Sequence, residues 1–181
     1  MRSLALILCL SAPAFAADKP EPKPVQATYR LYGLFSPDRE KDLRSVWDDV
    51  PDVKLVGINY GDAEITVEYT PGKAFPGAGK PEQFLQQIDN RIRQATHHTF
   101  AIGPRRTIPK EKLQEVVVPI AGLDCKACCL AAYEAVARVD GVDRVTASFK
   151  DGKLTALIDP EKMDRAKLED ALKKRNIHVV K

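Results

Sequence analysis

Cysteine is scarce in this 181-residue chain: four in all, three of them at Cys125, Cys128 and Cys129. The fourth, Cys9, lies in an N-terminal stretch that reads as a removable signal, so the mature chain holds an odd, tightly clustered set of thiols. A disulfide framework needs paired and spaced cysteines, and that class is excluded. Long apolar runs are lacking too. Leu4 to Leu10 is far below the ~20 residues a membrane-spanning helix requires. No single sign of charge dominates, with 28 Lys and Arg against 25 Asp and Glu spread along the chain, which gives no case for a nucleic-acid partner. Histidine is limited to three residues. Two of them, His97 and His98, are adjacent and would point to opposite faces of a strand, so they are poor partners for one ion.

The first sixteen residues are expected to be a signal peptide. Met1-Arg2 is a minimal positive start, an apolar run follows, and Ala14-Phe15-Ala16 is a small-x-small cleavage site. Leu8 is too large to precede a lipidated cysteine. The expected destination is the periplasm or the exterior, with no membrane span after cleavage. Residues 17–24 follow as a leader, in which Lys19-Pro20-Glu21-Pro22-Lys23-Pro24 reads as an extended, semi-rigid segment.

Sliding the chain against itself by 89 positions places Gly33-Leu34 on Gly122-Leu123, Val50 on Val139, Val53 on Val142 and Val56 on Val145. Tyr60 then falls on Phe149, Ile65 on Leu154, Thr66 on Thr155 and Pro71 on Pro160. The register holds without a gap from the first strand to the end of the third. The expectation is an α+β protein made of two tandem ferredoxin-like βαββαβ domains, at 25–102 and 115–181, joined by a linker at 103–114. In the first copy the pattern predicts a strand at 27–32, a helix at 37–49, strands at 54–59 and 63–69, a helix at 81–94 and a strand at 98–102. Residues 72–80 are an insertion. In the second it predicts a strand at 115–120, a helix at 128–139, and strands at 144–149 and 153–158 around an Asp151-Gly152 turn. A helix at 164–175 and a strand at 177–180 complete it. Trp47 and Phe84 read as core.

The stretch Gly122-Leu123-Asp124-Cys125-Lys126-Ala127-Cys128-Cys129 joins the strand at 115–120 to the following helix. Two thiols three positions apart at such a turn can converge on one soft metal ion, and the helix start stabilises the thiolate that binds it. A CxxC pair is also used by redox couples and structural sites, so these stand as alternatives. Asp124 reads either as a helix-start carboxylate or as a further, harder ligand. Cys129 shares the apolar helix face of Ala132, Val136 and Val139 and reads as packing, with a third thiolate ligand as the alternative. His178 reads as a surface histidine. In the first copy Ser36 and Arg39 stand where the thiols should be, so that copy is expected to be metal-free at this loop. Ser36-Pro37 reads there as a helix start capped by the hydroxyl.

Residues 115–181 resemble the heavy-metal-associated domain of copper chaperones, periplasmic mercury-binding proteins and the N-terminal modules of metal-pumping ATPases. The resemblance rests on Gly122, Cys125, Cys128, Ala135-Val136, Val139, Gly141-Val142 and Val145, with Leu123 in place of the family's usual Met. It implies a non-enzymatic protein that captures and transfers one thiophilic ion, Cu(I) or Zn(II), Hg(II) or Cd(II), through Cys125 and Cys128. The implied partner is a metal-transporting ATPase or another metal donor or acceptor. Zinc-, cadmium- and lead-pumping modules of the family resemble this chain in carrying Asp at the position of Asp124. Two other readings are a thiol-disulfide oxidoreductase using the same pair, for which the thioredoxin-like framework is lacking, and an envelope interaction module whose first copy docks a metal transporter.

Overall fold

The computed structural model describes residues 23–106 and 108–180. The expected signal segment, Cys9 and most of the leader lie outside the described residues. The first domain begins with β1 (Val25–Tyr32), followed by α1 (Arg39–Ser45), a single 3-10 turn, β2 (Val53–Asn59) and β3 (Glu64–Tyr69). Helices α2 (Pro71–Ala74) and α3 (Pro81–Ala95) lead to β4 (Ala101–Gly103). Strand β3 alternates buried and half-buried residues without a break, so one face, Ile65, Val67 and Tyr69, covers the core. The sheet order is β2-β3-β1-β4 and the recorded pairs are antiparallel, the ferredoxin-like arrangement of a βαββαβ chain.

The second domain repeats it with β5 (Gln114–Pro119), α4 (Lys126–Val136), β6 (Val142–Ser148), β7 (Lys153–Ile158) and α5 (Arg165–Lys173), in the order β5-β7-β6. The protein is therefore α+β, with two tandem ferredoxin-like domains. Both β2 with β6 and β3 with β7 coincide at the 89-residue offset. The match breaks in one place. The first copy's bulge leaves Val56 unpaired, whereas the second copy's leaves Asp143 unpaired. A bulge exchanges the faces of the residues around it, so Val145 is buried while its counterpart Val56 is 44% exposed.

Other elements are shorter than the pattern predicts. Ser36 does not cap a helix; its hydroxyl donates to Asp38 at 2.6 Å, and the helix starts only at Arg39. Helix α1 then ends at Ser45, and the turn Trp47–Asp49 follows. His97 and His98 both take positive φ, 49° and 63°, so they form a turn rather than open a strand. The expected last strand is a single bridge between Ile120 and Val179. The insertion contributes to the core, since Phe75 is fully buried against Tyr69 and Phe84 at centroid distances of 5.3 and 6.0 Å.

The two domains share an interior. Phe35, from the loop between β1 and α1, is 2% exposed and packs with the core of the second domain, 5.9 Å from the ring of Tyr133. Its carbonyl accepts from the amide of Ala147 on the edge strand β6 at 3.0 Å, which occupies a backbone donor an edge would leave open. Arg30, 5% exposed, reaches across to the carbonyls of Ala137, Val142 and Asp143 at 3.3, 3.4 and 2.5 Å. Ala137 caps α4, so the guanidinium satisfies one carbonyl that a helix end leaves without a partner, and two more at the start of β6. Gly33 donates its amide to the hydroxyl of Tyr133 at 2.9 Å. Gly33 has φ of 95°, and a side chain there would meet the Thr99 carbonyl at 2.2 Å, so only glycine fits.

Because Phe35 is part of the second core, the wild-type domains should unfold in one calorimetric transition. Phe35→Ala should destabilise the protein by about 3–5 kcal/mol, the usual loss for a buried phenylalanine, and split the transition in two. Unchanged single-transition melting in the variant would mean the domains are coupled elsewhere.

Candidate metal site

The loop from β5 to α4 is built to turn sharply and stop. After the bridge at Ile120, the amide of Ala121 donates to the carbonyl of His178 at 2.8 Å, which ties the loop to the C-terminal segment. Gly122 takes φ of 76° and redirects the chain. Leu123, 5% exposed, drops into the core and anchors the loop from below. This is the position of the resemblance's Met, and its side chain only packs. Cys125 is extended and serves as the N-cap of α4. Its sulfur accepts from the amide of Cys128 at 3.2 Å, and its carbonyl accepts from Cys129 at 3.0 Å.

This geometry brings together Asp124, Cys125 and Cys128, whose ligand atoms all lie within 4.8 Å of one another. Asp124 is exposed and Cys128 half-buried. The sulfurs of Cys125 and Cys128 are paired as a disulfide, with Cα atoms 5.2 Å apart. Cys128 Sγ lies 3.2 Å from Asp124 Oδ1. That contact is a hydrogen bond only in the reduced thiol, because a disulfide sulfur has no proton to donate. Asp124 therefore faces the sulfur pair and does not cap the helix, a role Cys125 fills. The donor set of two sulfurs and one carboxylate oxygen suits a soft ion of low coordination number. It is short of the four ligands of a closed tetrahedral zinc site unless another molecule contributes.

Cys129 is placed apart from this set. It is 1% exposed, packed in the core with Ala132 and Val136, and not among the converging ligand atoms. Burial pushes its thiol pKa up, with the backbone N–H of Phe149 acting the other way. A thiol that resists ionisation is held from the thiolate form that binds metal. His178 is exposed and also outside the cluster. In the first domain, Ser36 and Arg39 form no donor set. The Arg39 guanidinium donates to the Gly33 carbonyl at 3.1 Å and to Asp42 at 2.7 Å, and it lies 4.1 Å from the ring centroid of Phe100. Its remaining nitrogen has no hydrogen-bond partner among the described residues, and the ring face takes that role.

One participant was not legible beforehand. Lys126, between the two cysteines, pairs with Asp38 and Asp42 of the first domain at 2.7 and 3.0 Å. No local pattern points to a contact spanning 84 positions.

No protein-family model matches the chain, and no curated protein does. Among solved structures, it is similar to a CopZ metallochaperone at 22% identity, covering 37% of this chain and all of that one, with a TM-score of 0.36. It is similar to oxidized MerP from Ralstonia metallidurans CH34 at 25% identity, covering 38% and 99%, with a TM-score of 0.35. The N-terminal soluble domains of Bacillus subtilis CopA match over 87% of this chain and 93% of that one, at 14% identity and a TM-score of 0.35.

Burial of Cys129 leads to a direct check. In the reduced protein, Cys125 and Cys128 should alkylate rapidly and Cys129 only after unfolding, as peptide mapping of the labelled thiols would show. Cys129→Ala should leave metal stoichiometry unchanged and lower stability by about 1–2 kcal/mol, as expected for a small buried group. Rapid alkylation of Cys129 itself would place it at the site.

Proposed function

We propose that this chain is an exported metal-binding protein that captures one thiophilic ion at Cys125 and Cys128 and passes it to a partner. The observation that carries this reading is the convergence of two sulfurs and the Asp124 carboxylate on an exposed loop, at the start of α4. The pair is first opened by a dithiol reductant: one of its thiolates attacks a sulfur of the pair, its second thiolate resolves the mixed disulfide, and it leaves as its own disulfide with Cys125 and Cys128 as thiols. Binding then releases the thiol protons as the metal takes their place. Two sulfur donors favour Cu(I) or Hg(II), while Asp124 offers zinc or cadmium a third, harder ligand. An exposed loop lets a partner's thiolates add to the ion one at a time while the chain's own sulfurs leave, so the ion is never free. The partner in this reading is a metal-transporting ATPase or another donor or acceptor with soft ligands. No helix among the described residues is long and apolar enough to cross a membrane. Export rests on the Met1 to Ala16 pattern, and cell fractionation with N-terminal sequencing of the mature protein tests it.

The paired state of Cys125 and Cys128 supports a second reading, thiol-disulfide exchange. Reduction of insulin by the metal-free protein at a catalytic rate would favour it over metal transfer.

Native mass spectrometry of the reduced protein should show one Cu(I) per chain, lost in Cys125→Ser and in Cys128→Ser. X-ray absorption should report two sulfurs around copper. Asp124→Ala should weaken zinc and cadmium at least tenfold, the order of one lost ligand, and leave Cu(I) nearly unchanged. Equal losses for all three ions would mean that Asp124 acts through its charge alone.

A further inference from the structure

Lys126 stands between the two ligand cysteines, yet its ammonium is held by the other domain. It lies 2.7 Å from a carboxylate oxygen of Asp38 and 3.0 Å from one of Asp42. Both carboxylates are themselves fixed. Asp38 accepts from the hydroxyl of Ser36 at 2.6 Å, and Asp42 accepts from Arg39 at 2.7 Å. The hydrogen bond from Lys126 holds the Asp38 carboxyl below its usual range, with Ser36 adding to it. Burial pushes Asp42 up, but Lys126 and Arg39 outweigh it and bring it below the usual range as well.

Two positive side chains thus meet two negative ones, and the positions that would carry thiols in the first copy, Ser36 and Arg39, orient the acids. Lys126 has a flexible stem and a compact charge. Released from the acids, it would be one residue from Cys125 and two from Cys128, where the thiolates and the Asp124 carboxylate form one anionic cluster. An ammonium paired with those thiolates competes with the incoming metal cation and repels it.

We propose that Asp38 and Asp42 are positioning residues for the metal loop of the second domain: by holding Lys126 on the first-domain side, they keep its charge off the sulfur pair. The first domain acts on the site without touching the ion. This rests on the metal-binding reading given above.

The test measures the rate at which Cu(I)-loaded full-length chain loses its ion to a competing copper(I) chelator. Asp38→Asn with Asp42→Asn should lose Cu(I) roughly two- to tenfold faster, the scale of an exposed but networked ion pair. Lys126→Arg should match the wild type, because it keeps the bridge. Lys126→Gln should hold copper at least as well as the wild type, since no cation is left to compete. Adding the two Asn substitutions to Lys126→Gln should then produce no acceleration. The proposal is overturned if the Asn pair leaves the rate unchanged, or accelerates it equally with and without Lys126. Hydrogen exchange of the Lys126 ammonium in the reduced, metal-free chain gives an independent reading. Slow exchange that becomes fast in the Asn pair supports the bridge, and fast exchange in the wild type removes it. A wild-type chain that fails to load Cu(I) removes the metal reading and this proposal together, whereas normal loading with unaltered release removes the proposal alone.

Discussion

The burial of Phe35 between the two domains is the contact on which the rest of the arrangement depends. Each domain alone is close to the size at which a single core becomes marginal. Seating the Phe35 ring of one copy in the core of the other, with Tyr32 packed against the same core, joins the two interiors. Once that ring is in place, neighbouring groups follow: Arg30 reaches the end of α4, Gly33 meets Tyr133, and Ala147 finds the Phe35 carbonyl. These contacts orient α4 from its C-terminal end. The sulfur pair sits at its other end, so the first domain supports the helix at one terminus and grips Lys126 at the other.

The repeated fold was legible because burial of one sheet face imposes a period on the sequence, and both copies must obey it. Matching valines and glycines therefore located β2 and β6, and β3 and β7, at a common offset. The same reasoning failed at Val56, where a bulge moved by a few residues turns an apolar side chain outward without altering the strand's limits. It failed again at Ser36. A serine before proline ordinarily caps, but here its hydroxyl is spent on Asp38, which a tertiary ion pair has drawn into place.

At the site itself, Cys125 and Cys128 were legible from their spacing together with their place at a strand-to-helix turn, where two thiols can converge. The alternatives for Asp124 and Cys129 turned on which way each side chain points, a matter of one residue's rotation about the start of α4. The structure directs Asp124 toward Cys128 and Cys129 into the core. The contribution of the first domain had no sequence signature, because complementary charges that meet across an interface leave no period or motif in either segment.

Arg39, at the start of α1, is buried against Phe100, and Phe35 in the loop before it is sealed in the second core. The two positions that correspond to the thiols are therefore unequal, with Ser36 half-buried beside exposed Pro37 and Asp38 and Arg39 committed to the interior. The asymmetry between the copies is therefore structural: the loop that corresponds to the thiol-bearing one has become part of the contact between the domains.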